Sequence, residues 1–378
     1  MAGSILKVTA PGRTEIAGNH TDHEGGHVIA SAINRYITGT FELRDDLIAH
    51  VESEGRETYE MNLAGTNPRA AELNTSPGIL RGVMAQFVAR GCEPRGFNAK
   101  ISSTVPSGGG LSSSAAYELL LCEAARVLWG AGDVSKVEMA QMSQRVEKTW
   151  FGKPCGLMDQ AACALGSIQH MDFSDNDRPA FEQIDFDFAD AGYGLCIIMV
   201  GADHAALTDE YAAVPAEMMA VAKELGVKKL GQIQERDFLR SYGDLRAKLG
   251  DRPVLRAAHF YREERLVAAR VEALKAGDMK RFLELTRLSG ASSAMYLQNV
   301  SVAGSAEQPT MVALALADEL LGERGAVRVH GGGFGGTIQA FVPTDMVGEF
   351  ARSMDKVLGD GATMICSVDH KGVCSEWL

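Results

Sequence analysis

The spacing of apolar residues predicts a chain that mixes strands and helices. Residues 37–43 alternate apolar and polar positions with a period of two, which is typical of a half-buried strand. Residues 79–90 place apolar side chains four positions apart, as on the buried face of a helix. The unbroken apolar run at 194–200 predicts a strand that is buried on both faces. Over residues 5–60, short apolar runs alternate with turns.

The rest of the chain continues this mixture. Strands are predicted at 97–102, 326–329 and 338–342, the last two as a hairpin. Helices are predicted at about 112–130, 136–151, 158–165, 211–225, 263–276 and 279–289. Because strands and helices do not alternate regularly, the pattern favours an α+β fold over a doubly wound parallel sheet. The length of 378 residues, with a second block of elements beginning near Tyr193, indicates two domains, residues 1–190 and 191–378.

Composition and charge narrow the class of protein. The formal net charge of −12 argues against a broad surface that binds nucleic acid. The seven cysteines form an odd set without zinc-type spacing, and scattered free thiols fit a reducing compartment. The sequence shows no apolar run of about 18 residues that would indicate a membrane span, and no apolar signal-peptide segment at its N-terminus. We therefore expect a cytoplasmic monomer that binds neither nucleic acid nor membrane.

The most informative stretch is the glycine- and serine-rich segment at residues 106–116, PSGGGLSSSAA. Three consecutive glycines leave backbone amides uncovered, so the main chain can approach a large anion closely. The segment leads into a predicted helix, whose free N–H groups and dipole favour negative charge at its N-terminus. The sequence therefore predicts a phosphate site. The alternative is a glycine turn whose serines merely cap the helix.

A second polar segment lies near the N-terminus. Arg13 can hold a developing anion, while Asn19, His20 and Asp22 suit polyhydroxylated molecules, because amides and carboxylates form hydrogen bonds with vicinal hydroxyls. The alternative is a tight turn in which His20 is simply packed. His20 and His23 also raise the possibility of a metal site, but no third ligand is nearby in the sequence.

Two carboxylates form a third candidate group. Asp159 opens a predicted helix, and Glu147 precedes it by twelve residues. Asp159 is a candidate base for a substrate hydroxyl, unless it only caps the helix. Glu147 is a candidate magnesium ligand, because Mg²⁺ is usually bound by one or two carboxylates together with phosphate oxygens.

A last glycine-rich motif, HGGGFGG, occupies residues 330–336. No Gly-Lys-Ser/Thr follows, so it is not a Walker A loop, and a predicted strand follows where a dinucleotide-binding fingerprint needs a helix. It is either a flexible hairpin or a backbone segment that faces phosphate or supports the neighbouring loop.

Together these segments resemble the GHMP kinase superfamily, and specifically its galactokinase branch. The resemblance rests on four motifs in the family's order along essentially the whole chain: P-G-R…G-x-H-T-D, G-G-G-L-S-S-S-A, P-C-G-x-M-D-Q and G-G-G-F-G-G. It implies an N-terminal domain like the second domain of ribosomal protein S5, a ferredoxin-like C-terminal domain, and a site between them. The implied activity is that of an ATP- and Mg²⁺-dependent sugar 1-kinase acting on galactose. A galacturonokinase, another variant-sugar kinase and a non-catalytic sugar sensor are the alternatives.

The resemblance also implies roles by position. Arg13 and Asp159 would be the catalytic pair, with Ser114 and Glu147 as metal ligands. The ATP phosphates would be wrapped by Pro106, Ser107, Gly108, Gly109, Gly110, Leu111, Ser112, Ser113 and Ser114. The sugar would be lined by Asn19, His20, Asp22, Gly156 and Tyr211, the last identified by its position seven residues after His204. Asp159 would either accept the proton of the sugar hydroxyl early or mainly orient that hydroxyl.

The chain departs from the family pattern at three places. Asn19 stands where galactokinases usually carry a glutamate that contacts the exocyclic end of the sugar. Its neutral amide would no longer repel a carboxylate at C6, so galacturonate becomes a candidate substrate. Residues 76–82 have no aromatic side chain where the family often stacks adenine, and residues 212–217 lack the paired arginines that are common there.

Overall fold

The structure is a computed structural model that describes residues 4–106, 109–153, 155–175, 178–201, 208–302, 304–334 and 336–378. Its strands are β1 (Leu6–Ala17), β2 (His27–Leu43), β3 (Ile48–Ser53), β4 (Tyr59–Asn62), β5 (Phe97–Ser103), β6 (Ile168–Asp172), β7 (Ala180–Ile184), β8 (Tyr193–Met199), β9 (Ala326–Val329), β10 (Thr337–Pro343), β11 (Thr363–Cys366) and β12 (Cys374–Trp377). Its helices are α1 (Ser76–Ala89), α2 (Ser113–Leu128), α3 (Lys136–Val146), α4 (Met158–Leu165), α5 (Thr208–Glu224), α6 (Glu235–Arg240), α7 (Tyr242–Leu249), α8 (Asp251–Lys275), α9 (Met279–Ser292), α10 (Pro309–Leu321) and α11 (Val347–Leu358).

An eight-stranded sheet occupies the first half of the fold, in the order β12-β1-β2-β5-β3-β4. The edge of β2 away from β1 pairs with two strands, its first residues with β6 and its last residues with β5. On its other side, β6 pairs with β7. The register of β1 against β2 shifts between Pro11 and Gly12 and again between Glu15 and Ala17. Such bulges bend a strand and re-aim its side chains, and these two flank Arg13.

A four-stranded antiparallel sheet, in the order β11-β8-β10-β9, forms the second half. Successive side chains of a strand point to opposite faces. Leu195 and Ile197 of β8 therefore belong to the same core as the first sheet, while Cys196 and Ile198 pack with buried residues of α10 and α11. Burial on both faces explains the unbroken apolar run of this strand.

Two buried ion pairs lie next to β1, and one of them joins the two sheets. Arg328 of β9 lies 2.5 Å from Glu15 of β1, and Arg270 lies 2.7 Å from Glu263 within α8. Both guanidinium groups also donate to the carbonyl of Ile16, at 2.8 and 3.0 Å. Each buried charge thus has an opposite charge in contact, which a buried ion needs if it is not to destabilise the fold.

The predicted α+β architecture is confirmed, and most predicted helices and strands are present with shifts of a few residues at their ends. The alternation of short apolar runs with turns that the sequence indicates over residues 5–60 is not seen within the first two strands. β1 and β2 are 12 and 17 residues long because they pair along nearly their whole length, with bulges where turns were expected. The predicted helix at 136–151 ends as an α-helix at Val146 and continues as a π-helical turn, Glu147–Phe151.

The division into residues 1–190 and 191–378 stays a prediction. The strands of the two sheets separate near that point, except that β12 at the end of the chain returns to pair with β1. Across the described ranges, no helix combines the length and the apolar character needed to cross a membrane.

Candidate active site

Arg13 and Asp159 form an ion pair between β1 and α4. The Nε atom of Arg13, in β1, donates to Oδ1 of Asp159 at 2.7 Å, near the start of α4. The Nη1 atom of Arg13 donates to the carbonyl of Gly110 in the glycine- and serine-rich segment. The Arg13 side chain is 7% exposed and that of Asp159 is 31% exposed. The carboxylate is therefore the accessible end of the pair.

Both oxygens of Asp159 have a donor from the protein, because the hydroxyl of Ser112 donates to Oδ2 at 2.5 Å. Burial on its own would raise the pKa of Asp159. The positive charge of Arg13 and the hydrogen bonds from Arg13 and Ser112 outweigh that effect and hold the pKa below its ordinary value. Asp159 is therefore ionised at neutral pH and can accept a hydrogen bond from a substrate hydroxyl.

The described part of the glycine- and serine-rich segment, residues 106 and 109–114, lies between the two sheets. Gly110 adopts a φ of +65°, and a Cβ there would lie 3.2 Å from the hydroxyl of Thr337 in β10. The predicted phosphate-binding residues Ser107 and Gly108 lie outside the described residues. At the N-cap of α2, the Ser112 side chain makes no capping hydrogen bond. Its hydroxyl donates to the Asp159 carboxylate instead, so this side chain does not cap the helix.

A second carboxylate, that of Glu147, contacts Ser114 near the start of α2. The hydroxyl of Ser114 donates to Oε1 of Glu147 at 3.0 Å, and Gln160 donates to Oε2 at 2.6 Å. The same Gln160 nitrogen donates to Oε2 of Glu118 at 3.2 Å. Lys153, which is mostly exposed, lies 3.5 Å from Glu147. Glu118 and Glu147 are almost fully buried, and burial raises the pKa of Glu118 well above its ordinary value.

This group fits a magnesium–nucleotide complex. Ser114 and Glu147 supply hard oxygen atoms, which Mg²⁺ prefers, and Mg²⁺ usually takes its other ligands from phosphate oxygens and water. Glu147 has a cationic neighbour in the mostly exposed Lys153, whereas burial favours the uncharged form of Glu118. Within the part of the chain that the structure describes, no three His, Cys, Asp or Glu side chains cluster as a metal site. A cation bound here would have to share its coordination with the nucleotide.

Four of the five predicted sugar-binding residues form two close pairs, Asp22 with Gly156 and His20 with Tyr211. Asp22 contacts the backbone at Gly156, where an added Cβ would lie 2.2 Å from its Oδ2 atom. The rings of His20 and Tyr211 are 6.3 Å apart between centroids. The Tyr211 ring packs so closely on Gly332 that a Cβ there would lie 2.1 Å from the hydroxyl.

Two of these side chains, His20 and Tyr211, are uncharged hydrogen-bonding groups, and Asp22 is the one acidic residue of the set. Burial, with the neighbouring His23, lowers the pKa of His20 to about 3, so the imidazole is neutral at physiological pH. Burial raises the pKa of Tyr211 to about 12, and the charges of Arg13 and Asp159 contribute smaller, opposite shifts. His204, the sequence marker for Tyr211, lies outside the described residues.

Asn19 is the exception among the predicted sugar-binding residues. Its side chain is fully buried, and its Oδ1 atom accepts a hydrogen bond from Asn299 at 2.7 Å. Its Nδ2 atom donates to the carbonyl of Gly331 and, at 3.4 Å, to Glu15. The structure thus directs this amide toward protein groups rather than toward the accessible site, and its contact with sugar stays a prediction.

The sequence did not indicate a role for His330, a buried histidine that contacts both β1 and β10. The backbone N–H of Glu15 donates to Nε2 of His330 at 3.2 Å, so the ring carries its proton on Nδ1, which donates to Thr337 at 2.9 Å. Thr14 also lies 3.0 Å from Nε2 and accepts from Gln339 at 2.6 Å. Burial, with two nearby guanidinium groups, lowers the pKa of His330 well below its ordinary value. The position of His330 before three glycines was the available signal.

Glu118 and Gln160 were also missed. Glu118 interrupts an apolar helical stretch, and Gln160 directly follows Asp159. A charged residue inside an apolar run is a usable signal, because carboxylates are rarely buried without a specific partner.

Comparison with known proteins finds relatives that match most of this chain. A family model described as the GHMP kinases N terminal domain matches residues 79–167, and one described as the galactokinase galactose-binding signature matches residues 4–42. A galactokinase of Thermotoga petrophila is 32% identical over 335 residues, 88% of each chain. A galactokinase of Glaesserella parasuis is 32% identical over 351 residues, 90% of this chain and 86% of its own. The crystal structure of Lactococcus lactis galactokinase complexed with galactose superposes with a TM-score of 0.82 and 25% identity, covering 99% of this chain and 95% of its own.

The fold and the matched motifs define a GHMP kinase, a phosphotransferase that uses ATP and acts on an alcohol group. Within that class, the chain belongs to the galactokinase family and is a galactokinase-like sugar kinase.

Proposed function

We propose that the protein transfers the γ-phosphoryl group of ATP to the anomeric hydroxyl of D-galactose, forming galactose 1-phosphate and ADP. The observation that carries this proposal is the contact between Arg13 and Asp159, with an accessible carboxylate on one side and the Gly110 carbonyl on the other. It places an ionised acceptor for a hydroxyl beside the segment proposed to bind phosphate. The galactose-binding signature covers Arg13, His20 and Asp22.

Asp159 would hold the sugar hydroxyl in line with the γ-phosphoryl group. Its lowered pKa makes it a weak base, since an efficient general base has a pKa near the working pH. The hydroxyl proton would therefore move to Asp159 late, as the bond to phosphorus forms and the hydroxyl becomes acidic. In a loose transition state the bond from the sugar oxygen to phosphorus is little formed, so the hydroxyl does not need to lose its proton earlier.

Arg13 would stabilise the transferring group. Its guanidinium is buried and held by Asp159 and Gly110, so it is already oriented before the reaction. Fixed donors in a site shielded from water stabilise developing charge strongly. The amides of residues 109–114, at the start of α2, would add further donors to the phosphate oxygens.

We propose Ser114 and Glu147 as the ligands of a Mg²⁺ ion that arrives with ATP. When bound, the ion would neutralise charge on the β- and γ-phosphate oxygens. Ser114 is the second residue of α2 and Glu147 directly follows the last residue of α3, and their 3.0 Å contact brings the two ligand oxygens together.

For the sugar, we propose that Asp22 accepts hydrogen bonds from ring hydroxyls and that His20, Gly156 and Tyr211 form the surrounding walls. A neutral imidazole can donate from one ring nitrogen and accept at the other.

We also propose that the protein is cytoplasmic, since seven free cysteines suit a reducing compartment. We propose further that it is a monomer. Light scattering of the purified protein measures the oligomeric state.

A coupled ADP-release assay tests the choice of sugar. The panel is galactose, galacturonate, N-acetylgalactosamine, arabinose and glucose, with the Asp159→Asn variant as the control for a contaminating kinase. We expect the highest kcat/KM with galactose and no release above the control without sugar. A strong preference for galacturonate would overturn galactose as the substrate. Sugar binding without ADP release from any member of the panel would overturn the kinase mechanism.

A further inference from the structure

Gln160 connects the two buried carboxylates near the start of α2. It is the third residue of α4, it directly follows Asp159, and its side chain is fully buried. Its amide nitrogen donates to Oε2 of Glu147 at 2.6 Å and to Oε2 of Glu118 at 3.2 Å. An amide nitrogen carries two hydrogens, so these two bonds use its full donor capacity.

This arrangement fixes the direction of the Glu147 carboxylate. With Oε2 held by Gln160, the other oxygen, Oε1, lies 3.0 Å from the hydroxyl of Ser114. Glu118 is four residues after Ser114 in α2, and residues four apart in a helix lie on the same face. One helix therefore provides both the hydroxyl that Glu147 contacts and the carboxylate that holds Gln160.

The arrangement is costly to the fold itself. The Oε1 atom of Glu118 and the carbonyl oxygen of Gln160 are buried without a hydrogen-bond partner among the described residues. A buried carboxylate without a full set of partners destabilises a protein, and a well-packed apolar pair of similar volume is often better tolerated. Features that cost stability and lie beside a reaction centre indicate a functional role.

We propose that Gln160, held by Glu118, is a positioning residue that aims the Glu147 carboxylate at Ser114 and so sets the affinity for the divalent cation. The proposal rests on the assignment of Ser114 and Glu147 as metal ligands under the proposed function. Neither Gln160 nor Glu118 contacts the cation in this account. Groups that orient metal ligands typically change metal affinity about 10- to 100-fold when they are removed.

The test measures Mn²⁺ affinity by electron paramagnetic resonance. ADP is used as the nucleotide, because it has no γ-phosphoryl group to transfer and so no turnover occurs. Gln160→Met removes both hydrogen bonds at similar volume, and we expect Mn²⁺ affinity to fall about 10- to 100-fold. Gln144→Met is the matched control, because among the described residues that amide makes a single long contact, 3.5 Å, with the Cys155 carbonyl. We expect it to bind Mn²⁺ like the wild type, and galactose binding by calorimetry to be unchanged in both variants.

Variants of Glu118 separate positioning from simple packing. Glu118→Gln keeps an acceptor for Gln160, so we expect Mn²⁺ affinity within about threefold of the wild type, whereas Glu118→Met should lose as much as Gln160→Met. If Gln160→Met does not fold, Gln160→Asn takes its place, since the shorter side chain cannot reach both carboxylates. Wild-type Mn²⁺ affinity in the folded Gln160 variant would overturn the proposal. If Glu147→Gln also binds Mn²⁺ normally, the metal assignment under the proposed function fails with it.

Discussion

The Nε atom of Arg13 donates to Oδ1 of Asp159 at 2.7 Å, although 146 positions separate the two residues in the sequence. Arg13 belongs to a bulged strand of the first sheet and Asp159 to the short helix α4. Because Arg13 also contacts the Gly110 carbonyl, one guanidinium connects the accessible carboxylate to the segment proposed to bind phosphate. The charge of the carboxylate is therefore balanced before any substrate binds.

Replacing Asp159 by asparagine tests the role of this carboxylate. The amide keeps the shape but cannot accept the sugar proton, so we expect kcat to fall by about 10²- to 10⁴-fold or more. ATP affinity, measured by calorimetry, should stay close to the wild-type value. Asp345→Asn is the control, because Asp345 forms an exposed ion pair with Arg324 at the surface. Turnover near the wild-type rate in Asp159→Asn would exclude the proposed role.

The joint role of Arg13 and Asp159 comes from the resemblance to the galactokinase branch, because the residues alone also allow a tight turn and a helix cap. Arg13 is next to Gly12 and Pro11, and Asp159 opens a helix after a glycine-containing turn. The contacts of Asn19 are not predictable in the same way. They depend on Asn299 and Gly331, about 300 residues further along the chain, which pattern analysis cannot bring into register.

The same limit applies to parts of the fold. Local apolar patterns predict β8 and α1 well. A strand buried on both faces leaves an unbroken apolar run, and a helix buried on one face leaves apolar residues at helical spacing. The length of β2 is not predictable, because it depends on β5 and β6 sharing one edge. The return of β12 to β1 is a long-range pairing that leaves no pattern in the four residues of the strand.

A glutamate at position 19 tests where that side chain points. Its carboxylate would face Glu15 and the Gly331 carbonyl, where the Asn19 amide now donates. We expect the free energy of unfolding to fall by about 1–3 kcal/mol, the cost of leaving buried polar groups unpaired. The KM for galactose should not decrease. Denaturant unfolding and steady-state kinetics measure the two effects. Unchanged stability together with a lower KM would show that residue 19 contacts the sugar directly.

The buried His330 predicts a pH dependence of stability. Its folded pKa lies well below the unfolded value of about 6.5, so the unfolded chain binds one more proton in the interval between them. Its contribution to stability is thus complete above pH 6.5 and is lost as the pH falls. At pH 5–6, His330→Gln should reduce the slope of unfolding free energy against pH by about 1.4 kcal/mol per unit. Parallel curves for the two proteins would show that His330 is protonated in the fold.

The contact of Tyr211 with Gly332 predicts a substitution that moves the tyrosine without removing it. A Cβ at position 332 would lie 2.1 Å from the Tyr211 hydroxyl, so Gly332→Ala must displace the ring. We expect kcat/KM for the sugar to fall roughly 10- to 100-fold, as it does when a positioning group shifts by about 1 Å. Gly243→Ala is the control, since its Cβ meets no atom within 4 Å. Equal kinetics in both variants would remove Tyr211 from the proposed sugar site.

The most direct test of the central claim is to identify the reaction product by ³¹P and ¹H nuclear magnetic resonance. The wild-type protein is incubated with ATP, Mg²⁺ and galactose, in parallel with Asp159→Asn. We predict galactose phosphorylated at C1 together with stoichiometric ADP in the wild-type reaction, and unchanged galactose in the variant. Phosphate at any other position of the sugar, or the same product from both proteins, would contradict the account.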